Sequence, residues 1–286
     1  MSQVILPKVH PGDSISDRRQ RVLVTGAAGS IGSYFAEHCR KYDLRLLVRQ
    51  RDERAERLKD YGEVVAGELS DTDFLEKITE GMDAVLHLAG DPDPSATWSD
   101  LLAANIVGTY NLFSAVKKSG CPKVIYASSI HAVSGYAADV QVKVDEPVNP
   151  GDLYGVSKCF GEALSRYLAE KEGLCVFVLR IGACLPLEDA QKEKNLRNMD
   201  AFLSMRDFQH LAECCIDDQR LQFGIFHALS DNKFKRLDIS RTREELGYTP
   251  KDDFFEEYPE FSEALNTPLR KHNVEDKTQQ SGFRED

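Results

Sequence analysis

The sequence feature that most restricts the fold is a set of evenly spaced glycines between a β-branched segment and a helical one. Arg21 to Thr25 has the composition of a strand, and the segment from Ser30 to about Lys41 has that of a helix. Glycines let the backbone approach an anion, and the free amides of a helix's first turn face it. This order predicts the pyrophosphate site of a dinucleotide-binding fold, the alternative being a plain tight turn. The expected contacts are Gly26, Gly29, Ser30, Ile31 and Gly32.

The rest of the chain alternates strand-like and helix-like segments, which predicts a parallel sheet covered by helices on both faces. We therefore expect an α/β fold, namely a Rossmann-type doubly wound parallel sheet with a small C-terminal substrate subdomain. The predicted divisions are a mobile arm over 1–19, a dinucleotide-binding domain over 20–183, the subdomain over 184–255 and a polar, disordered tail over 256–286. Within the subdomain we expect a helix over 200–217 and a strand over 224–228.

The end of the second strand bears on the choice of cofactor. NAD-binding chains usually place an acid there for the ribose hydroxyls of the adenosine, but this chain has Val48 followed by Arg49. A guanidinium can pair with the 2′-phosphate of NADP. The sequence therefore allows NAD or NADP and favours NADP. The alternative is a basic surface turn.

The ends of the third and fourth strands supply further candidate contacts, because open α/β sheets bind ligands at the carboxyl ends of their strands. We expect Asp91 to face a substrate. Asn105, on the following helix, holds a water or a backbone carbonyl near the cofactor, unless it is only solvated. The other expected cofactor contacts are Glu68, Leu69, Leu88, Ala89 and Gly90.

Two residues four apart on a helix, Tyr154 and Lys158, form the candidate catalytic pair. A neighbouring cation stabilises phenolate, so Lys158 is expected to lower the pKa of Tyr154 and make it a proton acceptor. The fifth strand delivers Ser129 to the same rim, 25 residues before Tyr154. This pattern predicts that the hydroxyl of Ser129, the phenol of Tyr154 and the ammonium of Lys158 meet beside a nicotinamide. The Tyr154–Lys158 spacing by itself is also compatible with a solvated helix surface.

Further residues near this rim are candidates for binding a substrate. They are Ile130 and His131 after the serine, and Arg180 at the end of the sixth strand, beside the cofactor candidate Ile181. His131 either donates to a substrate hydroxyl or is satisfied by loop carbonyls. Arg180 either grips an anionic substrate group or braces the end of the sheet.

These motifs together resemble the extended short-chain dehydrogenase/reductases of the NAD-dependent epimerase/dehydratase family, over roughly Arg21 to Pro250. The resemblance is closest to a branch of sugar C1 dehydrogenases that includes uronate dehydrogenases and archaeal-type NAD-dependent glucose-6-phosphate dehydrogenases. The chain departs from that pattern at Ile130, where the family usually has Asn, and at Val48, where the acid is missing. The residues that carry the resemblance are 25–32, 87–90, Ser129, 154–158, 180–182, 203–207 and 230–232.

The resemblance implies an oxidoreductase that oxidises the C1 hydroxyl of a uronate, hexose or hexose phosphate to a lactone. In this hypothesis Ser129 holds the hydroxyl, Tyr154 removes its proton, and a hydride passes to the nicotinamide of NAD or NADP. Lys158 would also bind the cofactor ribose. The alternatives are a nucleotide-sugar epimerase or dehydratase on the same fold and a non-catalytic dinucleotide sensor.

Composition excludes several other classes. A formal net charge of -11 argues against nucleic acid as a partner, because a phosphate backbone needs a basic face. The sequence has no apolar run long enough for a membrane span and no signal core near Met1, which predicts a cytoplasmic protein. The seven scattered cysteines indicate reduced thiols and no metal site. A homo-oligomer is compatible with the sequence.

Overall fold

The structure is a computed structural model that describes residues 18–137, 139–190, 192 and 199–261. Most of the predicted arm, part of the segment before residue 199 and most of the predicted tail therefore lie outside the described residues. In the described part of the chain, no helix is both long enough and apolar enough to cross a membrane.

Seven parallel strands form the main sheet of the described chain, and two short ones form a separate pair. The strands are β1 (Arg21–Thr25), β2 (Asp43–Val48), β3 (Glu63–Ala66), β4 (Ala84–His87), β5 (Lys123–Ser129), β6 (Cys175–Ile181), β7 (Ala183–Leu185), β8 (Phe202–Ser204) and β9 (Phe223–Ala228). The main sheet has the order β3-β2-β1-β4-β5-β6-β9, and β7 pairs with β8. This arrangement is the predicted Rossmann-type sheet.

Helices connect these strands. The α-helices are α1 (Ser30–His38), α2 (Glu53–Arg57), α3 (Thr72–Thr79), α4 (Trp98–Leu101), α5 (Thr109–Ser119), α6 (Leu153–Glu172), α7 (Leu187–Ala190), α8 (Met205–Asp217), α9 (Ser240–Leu246) and α10 (Phe254–Glu257). A π-helical segment, Leu102–Gly108, joins α4 to α5, and single 3-10 turns occupy Leu58–Asp60, Ile130–Val133 and Pro259–Phe261.

Two apolar layers lie on opposite faces of the sheet. One packs α1 and α8 on the sheet and contains Phe35, Phe177 and Phe208. The other packs α3, α5 and α6 on it and contains Leu75, Phe113 and Leu168. Because both faces are covered, the inner strands are apolar along most of their length, as parallel strands in such folds are.

The chain reverses its direction of winding between β1 and β4, which are neighbours in the sheet. At such a point the connections leave the sheet in opposite directions and open a crevice at the carboxyl ends of the strands. This crevice is where the glycine turn after β1 and the ends of β4 and β5 meet.

The segment after residue 183 differs from its predicted layout in two respects. The helix expected over 200–217 is preceded by β8 and begins at Met205, where the side chain of Ser204 accepts a hydrogen bond from the Asp207 amide. The strand expected over 224–228 is present as β9, but it pairs with β6 in the main sheet. The predicted boundary after residue 183 therefore separates two segments that share one core.

Candidate active site

The glycine turn after β1 forms an open cradle at the start of α1. Gly26 has a φ of 69°, and a Cβ atom there would lie 2.8 Å from the backbone nitrogen of Ala89. Gly29 is the N-cap of α1 and offers no capping side chain, and both Gly29 and Ser30 are exposed. The first amides of a helix lack intrahelical partners, so this turn suits a pyrophosphate. The geometry fits the dinucleotide that the sequence predicts.

A buried histidine, which the sequence analysis missed, holds the end of β4 beside this turn. His87 Nδ1 lies 2.8 Å from Thr25 Oγ1, which accepts a hydrogen bond from the Ala89 amide, and His87 Nε2 lies 3.3 Å from Thr109 Oγ1. Burial lowers the pKa of His87 to about 3, so its imidazole is neutral. The signal in the sequence was a polar residue inside an apolar strand. This network fixes the backbone of Ala89 against the glycine turn.

Asn105 holds the loop after β4 in place. Its Oδ1 accepts from the Asp91 amide at 2.7 Å, and its Nδ2 donates to the Asp91 carbonyl and to Ser157 Oγ, both at 3.0 Å. Asn105 is 1% exposed. Of the alternatives that the sequence left open, the structure has the one in which Asn105 holds a backbone carbonyl, that of Asp91. Its contact with a cofactor stays a prediction. The Asn105 side chain fixes the loop that carries Asp91.

Ser129, Tyr154 and Lys158 lie together where β5 ends and α6 begins. The side chain of Ser129 lies close enough to that of Tyr154 to lower the pKa of the phenol. Lys158 Nζ lies 5.5 Å from the centre of the Tyr154 ring and donates to the Ala127 carbonyl at 2.9 Å. A Cβ atom at Gly90 would lie 3.6 Å from Lys158 Nζ, so the end of β4 faces the same ammonium. The three predicted side chains thus share one site.

The titration of this group differs from the expectation. Burial raises the pKa of Tyr154, the side chain of Ser129 opposes that rise, and the charges of Asp152 and Asp91 add to it. Burial also lowers the pKa of Lys158 to about 8. The expectation that Lys158 lowers the tyrosine pKa is therefore not met in this structure, because desolvation of the phenol dominates.

The two residues after Ser129 face different surroundings. Ile130 packs against an apolar cluster that contains Val133 and Leu237, so it turns away from a polar substrate contact. His131 Nδ1 lies 2.6 Å from Asp152 Oδ2, and its ring meets the Tyr154 ring edge-on with the centres 5.3 Å apart. The structure thus pairs His131 with a carboxylate rather than with loop carbonyls.

Arg180 is buried in an ion pair and does not reach the site. Its Nε and Nη2 donate to the two carboxylate oxygens of Glu162 at 3.0 and 2.9 Å, and Glu162 also accepts from Ser128 Oγ at 2.6 Å. Arg180 is 2% exposed. Of the two alternatives that the sequence left open, the contacts support a brace at the end of the sheet rather than a grip on an anionic substrate.

The candidates for the adenosine end of the cofactor lie at the ends of β2 and β3. Val48 is buried at the end of β2, and Arg49 Nε stands 3.9 Å from Glu68 Oε2 with both side chains largely exposed. Leu69 packs over the second apolar layer. Of the remaining apolar candidates, Ile31 and Leu88 pack against the first layer and Ile181 belongs to it.

Comparison with known proteins agrees with this geometry. The sequence profile of the NAD dependent epimerase/dehydratase family matches residues 22–199. The chain belongs to this family.

Members of the family that resemble this chain include sugar dehydrogenases. An NAD-dependent glucose-6-phosphate dehydrogenase from Haloferax volcanii is 37% identical over 249 residues, covering 82% of this chain and 94% of that protein. A uronate dehydrogenase from Pseudomonas syringae pv. tomato is 32% identical over 232 residues, covering 81% and 82% of the two chains. The solved structure of a mutated uronate dehydrogenase superposes with a TM-score of 0.76 at 32% identity, covering 85% of this chain and 86% of that one.

The three central side chains follow from sequence motifs, whereas the residues that hold them do not. Asp152 and Glu162 are recognisable only by their partners in space, whereas His87 stands out in the sequence as a polar residue inside an apolar strand. In the described ranges no three His, Cys, Asp or Glu side chains are grouped so that they could hold a metal ion.

Proposed function

We propose that this protein is an NAD(P)-dependent dehydrogenase that oxidises the C1 hydroxyl of a sugar or sugar acid to a lactone. The observation that carries the proposal is the meeting of Ser129, Tyr154 and Lys158 at the crevice beside the glycine turn. Support comes from sugar dehydrogenases that match more than four-fifths of the chain. A Ser-Tyr-Lys group at such a crevice suits removal of a proton from an alcohol.

The roles follow from the contacts of each side chain. Ser129 orients the substrate hydroxyl, and Tyr154 accepts its proton. Lys158 holds the ribose of the cofactor and places a positive charge beside the developing phenolate. Bound NAD(P)⁺ supplies the hydride acceptor. Since burial raises the pKa of Tyr154, proton removal by this residue is favoured at alkaline pH.

The dinucleotide lies in this proposal along the groove from the glycine turn to Arg49. Gly26, Gly29 and Ser30 receive the pyrophosphate, and Ala89 and Gly90 lie beneath the nicotinamide end. The exposed Arg49 favours NADP, because no carboxylate occupies the end of β2 to repel a 2′-phosphate. Its neighbour Glu68 is more than half exposed, and an exposed ion pair of this kind holds the arginine by only about 0–1 kcal/mol.

The substrate class remains a sugar with a free C1 hydroxyl. Because Arg180 is buried, an anionic group of the substrate has to be bound by other residues.

The seven cysteines are all free thiols, which supports a reducing compartment such as the cytoplasm.

Replacement of Tyr154 by Phe tests the proposal. The assay follows the absorbance of reduced nicotinamide, with each cofactor and a panel of uronates, hexoses and hexose phosphates. The kcat/KM of Tyr154→Phe should be about 10²–10⁴-fold lower than that of the unchanged protein, because the general base is lost. Tyr167→Phe, an exposed tyrosine on the same helix, is the matched control and should retain full activity. If Tyr154→Phe keeps turnover within about tenfold of the unchanged protein, the assigned role is wrong.

The same assay separates dehydrogenation from epimerisation. An epimerase regenerates its oxidised cofactor in each cycle, so it shows no net reduction of added NAD or NADP with any sugar. Net reduction that is stoichiometric with lactone supports the proposed function.

A further inference from the structure

One carboxylate contacts both the helix that carries Tyr154 and the histidine beside it. Asp152 is the N-cap of α6, and its Oδ1 accepts from the Gly155 amide at 2.7 Å. Its other oxygen, Oδ2, lies 2.6 Å from His131 Nδ1. The His131 side chain is 30% exposed and that of Asp152 only 14%. The imidazole therefore projects toward solvent from an anchor that is mostly buried.

The anchor determines where the ring proton of His131 resides. An ionised carboxylate only accepts hydrogen bonds, so the nitrogen that faces it has to be the one that carries a proton. A neutral imidazole has one N–H, and when Nδ1 holds it, Nε2 presents a lone pair. Within the described residues, no hydrogen-bond partner lies at Nε2. This nitrogen is therefore left as a hydrogen-bond acceptor for another group.

The ring of His131 lies beside the side chains that are proposed to hold the reacting hydroxyl. His131 lies two residues after Ser129, whose Oγ accepts from the His131 amide at 3.2 Å. Its ring packs edge-on against Tyr154 with the centres 5.3 Å apart. A sugar whose reacting hydroxyl is held by Ser129 and Tyr154 has further hydroxyls within reach of a group placed there.

We propose that Asp152 is a positioning residue that fixes the Nδ1–H tautomer of His131, so that Nε2 accepts a hydrogen bond from a substrate hydroxyl next to the reacting one. This inference rests on the proposed sugar dehydrogenase function. It reverses the polarity that the sequence suggested, in which His131 donates to the substrate. Asp152 and His131 together then favour substrates with a free hydroxyl next to the reacting one. An ether or a fluorine at that carbon is disfavoured, because neither group offers a proton to Nε2.

Asp152→Asn tests the tautomer with little change to the helix. Asn caps a helix about as well as Asp, so its carbonyl keeps the bond from the Gly155 amide. Its NH₂ group then faces His131 Nδ1, which has to become the acceptor, and the ring proton moves to Nε2. Substitution thus changes the polarity of Nε2 and leaves the ring in place.

The first measurement needs no substrate and is independent of turnover. Long-range ¹H–¹⁵N correlation spectra of protein labelled with ¹⁵N-histidine, recorded at alkaline pH, report which ring nitrogen carries the proton, and His131→Gln assigns the signal. We expect the Nδ1–H form in the unchanged protein and the Nε2–H form in Asp152→Asn. The Nε2–H form in the unchanged protein overturns the inference, whatever the enzyme's activity.

The second measurement is kinetic. Asp152→Asn should raise the KM for the sugar about tenfold and leave the KM for the cofactor within about twofold, because a protonated Nε2 no longer accepts the hydrogen bond from the substrate hydroxyl. In a His131→Ala background the same substitution should have no further effect, since the ring through which it acts is absent. Asp71→Asn, which alters the N-cap of α3 in the same way, is the control and should match the unchanged protein.

Two results with these variants overturn the positioning role of Asp152. The first is an unchanged sugar KM in Asp152→Asn. The second is a further rise in the sugar KM when Asp152→Asn is added to His131→Ala, which assigns Asp152 to helix stability alone. A deoxyfluoro sugar that is used as well as its parent at every position also contradicts selection by Nε2.

Discussion

Lys158 places an ammonium in the protein interior at a cost to stability. Burial lowers its pKa from 10.5 to about 8, while its Nζ has one backbone carbonyl, that of Ala127, as a hydrogen-bond partner within the described residues. A depression of this size corresponds to roughly 3 kcal/mol of unfavourable burial at neutral pH. A residue kept at such a cost is typical of a functional site.

Lys158→Met should therefore stabilise the protein while abolishing turnover. The free energy of unfolding should rise by about 1–2 kcal/mol at neutral pH, because the bond to Ala127, worth about 1 kcal/mol, is lost with the charge. Since the folded pKa lies below the unfolded one, the unchanged protein gains stability as pH rises from about 8 to 10.5, and the stability advantage of Lys158→Met should be lost over this range. Urea unfolding of both proteins at each end of this pH range measures the difference in their free energies of unfolding. A lower stability of Lys158→Met at neutral pH contradicts the argument, and the exposed Lys59→Met is the control.

Arg49 is the residue on which the cofactor preference depends. Arg49→Ala should raise the KM for NADP by about tenfold or more and change that for NAD by less than about threefold, because only NADP offers a phosphate to the guanidinium. Initial rates with both cofactors at a saturating sugar concentration test this. Arg57→Ala, an exposed arginine on α2, controls for the loss of one positive charge. An equal rise for both cofactors excludes Arg49 as the group that reads the phosphate.

At the scale of elements, a buried polar cluster binds α6 to the ends of β5 and β6. Ser128 on β5, Glu162 on α6 and Arg180 on β6 share hydrogen bonds of 2.6 to 3.0 Å. Glu162 lies one and two turns beyond Lys158 and Tyr154, on the same face of the helix. The cluster therefore sets the distance between the catalytic helix and the strand that carries Ser129.

Removing one partner of this cluster should be costly. Arg180→Met leaves Glu162 buried and unpaired, which should lower the free energy of unfolding by about 3–5 kcal/mol. The double variant Glu162→Met with Arg180→Met should be more stable than Arg180→Met alone, because no isolated charge remains. Urea unfolding of the three proteins measures these differences. Unchanged stability of Arg180→Met with a raised sugar KM would instead support the substrate grip that the sequence left open.

The contrast between these residues shows what the sequence could and could not reveal. The glycine turn, the strands up to β6 and the Tyr154–Lys158 pair follow from local spacing, because strand, turn and helix chemistry act over a few residues. Arg180 depends on Glu162, 18 residues away, and His131 on Asp152, 21 residues away. Local patterns do not specify such pairs. The rise in the Tyr154 pKa likewise depends on how deeply the whole fold buries the phenol.

At the scale of the whole molecule, the described chain forms one packed unit around the main sheet. β9 pairs with β6 along six residues, from Val176 opposite Phe223 to Ile181 opposite Ala228. Phe208 and Leu211 of α8 belong to the same apolar layer as Phe177. The sequence suggested a separate subdomain here because a short strand after a helix does not disclose which sheet it joins. Because β9 completes the main sheet, we expect the nucleotide-binding part of the chain to need the segment after residue 183 in order to fold.

A chain that ends after residue 183 should therefore fail to fold as an independent dinucleotide-binding domain. It loses β9 and α8, so the edge of β6 becomes unpaired and the apolar residues beneath α8 become exposed to water. We expect no cooperative thermal unfolding and no stabilisation by reduced nicotinamide cofactor, both followed by circular dichroism. A chain that ends after residue 261 keeps every described element, so it is the control and should unfold cooperatively at a temperature that rises with cofactor concentration. Cooperative, cofactor-stabilised unfolding of the shorter chain would show that the nucleotide-binding half is autonomous, in which case β9 and α8 only cover a sheet that is already stable.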